Sequence, residues 1–190
     1  MIDKSFLENF MLISRELEQL NDTLVWSVDN NRTGCTKHDQ KYIKPWQIPR
    51  TTAEFLRFCV LTTKSKNILE LGTSIGYSTI WLALGAIDTG GHVDTIEIFE
   101  PKIELAKRNI IRAKVKKEVT IHEGDISSIL TSWDEKRKFD MIFLDADKPN
   151  YGRYYDQVMP ILKTGGLLVE LVDNKSDMKS YSCRGGDINV

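Results

Sequence analysis

Apolar side chains at Phe6, Phe10, Ile13, Leu17, Leu20 and Leu24 recur every three or four positions. That spacing predicts an amphipathic helix over 4–20. Residues 27–50 are polar and irregular and end in the turn-rich PWQIPR. Structureless loops of that length are often functional. A second helix is expected over 51–62. A different rhythm then begins. Short apolar runs at 67–71, 93–96, 119–122, 140–144 and 166–172 are expected strands. Between them lie expected helices near 77–86, from Pro101 onward, near 126–131 and over 151–162. Proline suits the first turn of a helix, which sets the start at Pro101. Five strands alternating with helices predict an α/β fold with a mostly parallel sheet flanked by helices. The unbroken Ile/Leu/Val/Phe runs fit strands covered on both faces. In such sheets ligands sit beyond the carboxyl ends of the strands, so functional residues should follow each run.

The chain has 190 residues, enough for one domain with a substantial core. The expected division is an N-terminal region over 1–50, for substrate and dimer contacts, and a core over 51–190. A net charge of −1 gives no global reason to expect a nucleic-acid or membrane partner. Charge is uneven locally: residues 1–31 carry six acids and two bases, and residues 101–117 carry seven Lys/Arg. A solvated helix face is the plain reading of such a run, and a phosphate-binding patch the sharper one. Cys35, Cys59 and Cys183 are odd in number and show no CxxC spacing. They fit a reducing compartment, not a disulfide framework or zinc site. MIDKSFLENF is acidic and amphipathic, unlike a signal peptide. No apolar run approaches the ~18 residues of a membrane span. A cytoplasmic protein is expected.

Chemistry concentrates at the strand ends. After the first strand comes Glu70-Leu71-Gly72-Thr73-Ser74-Ile75-Gly76-Tyr77-Ser78. Glycine lets backbone approach a ligand closely. The GxxxG spacing is not the GxGxxG of a dinucleotide fingerprint. After the second strand comes Glu97, followed by Ile98; an acid there can accept both hydroxyls of a ribose. Glu100, at a helix start, complements the helix dipole. Gly124-Asp125-Ile126 follow the third strand, where Asp125 either meets an adenine amino group or caps a helix. The fourth strand runs into FLDADKPNY, placing Asp145, Asp147 and Lys148 in four positions. Carboxylates are hard oxygen ligands for Mg²⁺ or a similar cation. Asp173-Asn174, after the fifth strand, supply another carboxylate and an amide oxygen.

Taken in order, NILELGTSIGYSTIWLA, TIE and FDMIFLDADKPNY resemble the cation-dependent class I S-adenosylmethionine O-methyltransferases, in particular the caffeoyl-CoA and catechol O-methyltransferase group with its bacterial and archaeal relatives. The resemblance runs from about Pro49 to Asn174. It implies a Rossmann-like methyltransferase domain, S-adenosylmethionine as cofactor and a divalent cation (Mg, Mn or Ca). Glu70, Gly72, Thr73, Ser74, Gly76, Tyr77 and Ser78 would surround the methionine end, with Ser78 on its carboxylate. Glu97 and Ile98 would hold the ribose, Gly124, Asp125 and Ile126 would border the adenine, and Asp145 would touch cofactor and metal alike. Asp173 and Asn174 would complete the metal set. Lys148 would be the base or the group that orients the acceptor hydroxyl. A phenol has a pKa near 10 and is mostly protonated at neutral pH, so a metal that binds it, with a lysine to handle the proton, makes chemical sense. Many relatives are homodimers, and a homodimer is expected.

The match breaks near the end. Relatives place Asp-Asn six residues after the first glycine of GGLLV, whereas Gly165 to Asp173 is eight. A bulge absorbs the two residues, or Glu170 substitutes. The tail is also short for a closing strand pair, so the sheet's C-terminal pair reads as incomplete. The leading expectation is methyl transfer to a small hydroxylated molecule, catechol-like or phenolic. A tRNA hydroxyuridine methyltransferase of the same fold is the alternative, with Arg32, Lys37, Lys41, Lys44 and Arg50 on phosphates. A cofactor-binding protein without metal-dependent catalysis is the third. Trp46 and Tyr151 are candidates to stack on an aromatic acceptor.

Overall fold

The computed structural model describes residues 2–20, 46–134 and 136–171. Leu24, Cys35, Cys183, Asp173, Asn174 and the basic residues Arg32, Lys37, Lys41 and Lys44 lie outside the described residues.

Helix α1 spans Lys4–Leu20 and α2 spans Arg50–Thr63. Then follow β1 (Asn67–Leu71), α3 (Tyr77–Thr89), β2 (His92–Glu97), α4 (Glu100–Arg112), β3 (Val119–Glu123), α5 (Ile126–Ser132), β4 (Phe139–Leu144), α6 (Tyr151–Val158) and β5 (Leu162–Glu170). The five strands form one sheet in the order β3-β2-β1-β4-β5, and every pairing is parallel. Chain order reverses between β1 and β4, which opens a crevice at their carboxyl ends.

Alternation along the strands builds two cores. Ile68, Val93, Met141 and Phe143 face one with α1, α2 and α3. Leu69, Leu71, Ile96, Ile142 and Leu144 face the other with α5 and α6. Asp3 caps α1, accepting the Phe6 amide at 2.8 Å. Phe10, Ile13 and Leu17 are the buried stripe of α1, each worth about 1.5–3 kcal/mol of apolar burial. Phe10 meets Trp81 of α3 edge-on at 5.2 Å, and Trp81 Nε1 donates to Ser14 Oγ at 3.2 Å. Because α3 lies between the sheet and these helices, Tyr77–Ala86 are all buried.

The end of the chain corrects the sequence reading. Helix α6 stops at Val158 rather than 162, since Pro160 lacks the amide that would continue it. Strand β5 starts at Leu162 rather than 166, and the described strand ends at Glu170. Phe139 pairs with Leu162, but Met141 pairs with Leu167. The three surplus residues of β5 bulge between Leu162 and Leu167, where Gly165 has a φ of +77°, which is glycine territory.

Beneath the sheet, Asp94 of β2 accepts from His122 Nε2 and Arg137, both at 2.7 Å. Burial alone would raise this carboxyl, but those two hydrogen bonds and the two partners' charges outweigh it and hold the pKa below the usual carboxylate range. A depressed folded pKa means stability that is fully present above the unfolded value near 4 and is lost as pH falls through the folded one. Asp94→Asn should therefore cost about 1.5–3 kcal/mol at pH 6. Urea unfolding at pH 6 and pH 3 checks this: the gap between wild type and variant should shrink on acidification.

Candidate functional site

The crevice is built from the loops after β1, β2 and β4. Gly72 and Thr73 both donate their amides to Ile96 O at 3.1 Å, which ties the glycine turn to β2. The Gly76 amide closes the turn on Thr73 O at 2.8 Å. Asn109 of α4 buttresses it, Nδ2 donating to Ile75 O at 2.9 Å. Gly72 has φ +100°, and a Cβ added there would lie 2.2 Å from Asp145 O. The turn and the loop after β4 therefore touch backbone to backbone, which glycine alone permits. Gly76, at φ +87°, starts α3. Ser74 also has positive φ, at 48°; its amide donates to Glu97 Oε2 at 2.8 Å, and its buried hydroxyl oxygen has no hydrogen-bond partner.

Glu97, half-buried at the end of β2, also accepts the Ile98 and Phe99 amides at 3.0 and 2.9 Å. A carboxylate offers about four acceptor positions, so one remains for a hydroxyl. Ile98 beside it is exposed. Gly124 donates its amide to Glu97 O at 2.8 Å, bringing the loop after β3 alongside. Asp125 takes the capping role: it accepts Ser128 N and Oγ, both at 2.8 Å, and these bonds hold its pKa down. Ile126 behind it is buried.

Glu70 and Tyr77 belong to the support of the crevice rather than its lining. Glu70 is fully buried, and its carboxylate accepts Ser78 Oγ and Thr79 Oγ1 at 2.5 Å and Thr95 Oγ1 at 2.7 Å. Burial pushes it up to about 7, against the lowering effect of those hydroxyls. Tyr77 is buried and donates to Glu18 of α1 at 2.8 Å. Thr95, Thr79 and Asn109 escaped the sequence reading. The one signal was a polar Thr95 between the strand's buried positions Val93 and Ile96.

After β4, Lys148 Nζ donates to Asp145 Oδ1 at 3.3 Å, Tyr151 Oη at 2.5 Å and Leu171 O at 2.8 Å. Those three acceptors match the three donors of an ammonium. Asp147 turns elsewhere, accepting Tyr154 Oη at 2.6 Å and the Asn150 amide, so it secures the turn into α6. Tyr151 is buried, which rules it out as a platform for stacking; Trp46 is exposed, with Lys102 Nζ 5.0 Å from its ring centroid. Glu170 is exposed opposite Leu144, and Leu171, whose amide reaches Leu144 O at 3.2 Å, stands beside Asp145. No cluster of three His, Cys, Asp or Glu suited to a metal exists among the described residues. These residues do not by themselves make a metal centre; Asp173 and Asn174, expected to complete it, lie outside them.

Of the four basic residues on α4, two pair with acids among the described residues. Lys107 pairs with Glu104 and Glu123, and Arg112 with Glu16. Arg50 pairs with Glu54 at 2.9 Å. No helix among the described residues is long and apolar enough to cross a membrane.

Known proteins share this arrangement. Over 119 residues the chain is 41% identical to the catechol O-methyltransferase of Niastella koreensis, covering 61% of this chain and 53% of that one. Over 130 residues it is 35% identical to caffeoyl-CoA O-methyltransferase 1 of Eucalyptus globulus, covering 65% and 52%. The chain thus spans about half the length of the curated relatives it matches. The solved O-methyltransferase of Bacillus cereus in complex with SAH superposes with a TM-score of 0.65 at 27% identity, over 88% of this chain and 66% of that one. The O-methyltransferase family profile matches residues 30–176, which takes in every strand of the sheet and both sides of the crevice. With its sheet order, its glycine turn and its sequence all in agreement, the chain belongs to the O-methyltransferase family.

Proposed function

We propose that this chain binds S-adenosylmethionine in the crevice and transfers its methyl group to a hydroxyl of a small catechol-like or phenolic acceptor. The observation that carries this reading is the backbone contact of Gly72 with Asp145, which brings the turn after β1 and the Asp145–Lys148 pair to one place. When bound, the cofactor supplies an electrophilic methyl sulfonium. Glu97 would take a ribose hydroxyl on its remaining acceptor position, and exposed Ile98 would cover the nucleoside. Ser78 would meet the methionine carboxylate. Lys148 would draw the acceptor oxygen toward its ammonium and stabilise the negative charge that grows there as the hydroxyl proton leaves to water. All three of its donors are engaged, so the ammonium would release one acceptor to do this, and Asp145 Oδ1 at 3.3 Å is the longest of the three. Holding nucleophile and sulfonium in line supplies much of the remaining acceleration.

A divalent cation, Mg²⁺, Mn²⁺ or Ca²⁺, would need Asp145 together with Asp173 and Asn174, and no step above is routed through it. Of the basic residues that a tRNA substrate would need, Arg50 pairs with Glu54, and Arg32, Lys37, Lys41 and Lys44 lie outside the described residues. A homodimer and a cytoplasmic location stay with the reading as expectations drawn from the sequence.

Calorimetry with S-adenosylmethionine, with and without Mg²⁺ and with catechol added third, tests the reading. Cofactor binding is expected, followed by catechol binding. Glu97→Ala should weaken the cofactor at least tenfold, about 1.4 kcal/mol, in keeping with loss of a charged hydrogen bond. Absence of cofactor binding by the wild type would sink the proposal. Catechol binding that ignores Mg²⁺ would remove the cation from it.

A further inference from the structure

Glu70, the next-to-last residue of β1, is a fully buried carboxylate. Its partners are hydroxyls. Ser78 Oγ reaches Oε1, while Thr79 and Thr95 reach Oε2. Thr95 also shares a 2.6 Å bond with Thr73 in the glycine turn. A hydroxyl has one proton to give. With Glu70 ionised, Ser78, Thr79 and Thr95 each spend theirs on it, and Thr73 must be the donor to Thr95. The Ser78 oxygen is then left with lone pairs only. A ligand carboxylate also offers lone pairs only, so the two cannot hydrogen-bond. A second carboxylate nearby would also repel the first.

One proton removes both obstacles. Taken from solvent onto Oε1 of Glu70, it reverses the bond to Ser78: the carboxylic acid donates to Oγ, and the Ser78 proton turns outward. We propose that Glu70 is a proton-linked positioning residue, taking up one proton as an amino-acid carboxylate binds at Ser78. The inference rests on the cofactor reading above, whose methionine carboxylate is that ligand. Burial pushes Glu70 up to about 7, so the proton is available near neutrality. The groups facing Glu70 are Thr95 from β2, Ser78 and Thr79 from α3 and, through space, Asp145 from beyond β4, which raises it further. Tyr77 turns its hydroxyl away to Glu18, and Glu97 is held by backbone amides.

The test is calorimetry at pH 8 in buffers of different ionisation enthalpy, with two probes. S-adenosylhomocysteine carries the amino-acid carboxylate and ammonium; 5′-methylthioadenosine is the same nucleoside thioether without either, so an uptake owed to the ligand's amine would persist in Glu70→Gln. Wild type should take up about 0.5–1 proton with the first and about none with the second. Glu70→Gln, whose amide donates to Ser78 permanently, should bind S-adenosylhomocysteine without proton uptake. Its affinity should stay level above pH 7, where that of wild type falls up to about tenfold per unit. Ser78→Ala, which keeps Glu70, should also lose the difference between the probes. A role in folding alone would weaken both probes equally. S-adenosylhomocysteine binding with no linked proton, or uptake that persists in Glu70→Gln, overturns the inference while leaving the cofactor reading intact. Failure of wild type to bind either probe overturns both.

Discussion

Gly72→Ala should abolish cofactor binding and lower stability by about 2–6 kcal/mol. Two costs add. An alanine at φ +100° is strained by about 1–3 kcal/mol. Its Cβ would also fall 2.2 Å from Asp145 O, and relief of such overpacking costs a further ~1–3 kcal/mol. The obstacle is backbone, so no rotamer change can clear it. Either the turn or the loop after β4 must move, and each carries half of the crevice. Thermal melting should show a drop on the order of 10 °C, at ~2–4 °C per kcal/mol for a domain of this size. Gly90→Ala is the control, because nothing lies within 4 Å of its added Cβ and only the strain of φ +66° remains. Its melting shift should be smaller, with S-adenosylhomocysteine binding retained. If Gly72→Ala melts and binds like wild type, the crevice is not built on this contact.

Lys148→Met should lower the turnover number for catechol methylation by about 100-fold or more, the scale of one electrostatic partner of a developing oxyanion. S-adenosylhomocysteine affinity should change by less than about threefold, since Lys148 faces Asp145, Tyr151 and Leu171 rather than the glycine turn. Methionine keeps the length of the stem and removes the charge. The variant also leaves Leu171 O with only the 3.4 Å bond from Tyr151 Oη, so a melting loss of a few degrees is expected alongside. Steady-state kinetics with saturating cofactor separate the two effects. A turnover number within threefold of wild type would take Lys148 out of the reaction. A loss in cofactor affinity equal to the loss in rate would move it to the cofactor's side of the crevice.

The strands, their parallel pairing and the positions of chemistry at their carboxyl ends were legible because short segments rich in Ile, Leu, Val and Phe alternate with helical ones, even though β2 and β3 interleave polar residues. The β5 boundary was not. Gly165-Gly166 reads as a turn before a strand, yet the chain is already paired at Leu162 and bulges through the glycines. Asp125 had two readings, adenine contact first and helix cap second; the bonds to Ser128 belong to the cap.

The sequence by itself determined the α/β architecture, the family motifs and the residues gathered around the crevice, because each is carried by local periodicity or by neighbouring positions. Only the tertiary structure decided what those side chains do. It sank Glu70 among the hydroxyls of Ser78, Thr79 and Thr95, turned Tyr77 to Glu18, gave Asp147 to Tyr154 and surrounded Lys148 with three acceptors. Thr95 lies 25 positions from Glu70, Glu18 lies 59 from Tyr77 and Leu171 lies 23 from Lys148. A hydrogen bond depends on separation and direction in space to within tenths of an ångström. Sequence spacing carries that information within a helix or a turn and loses it between elements that only folding brings together.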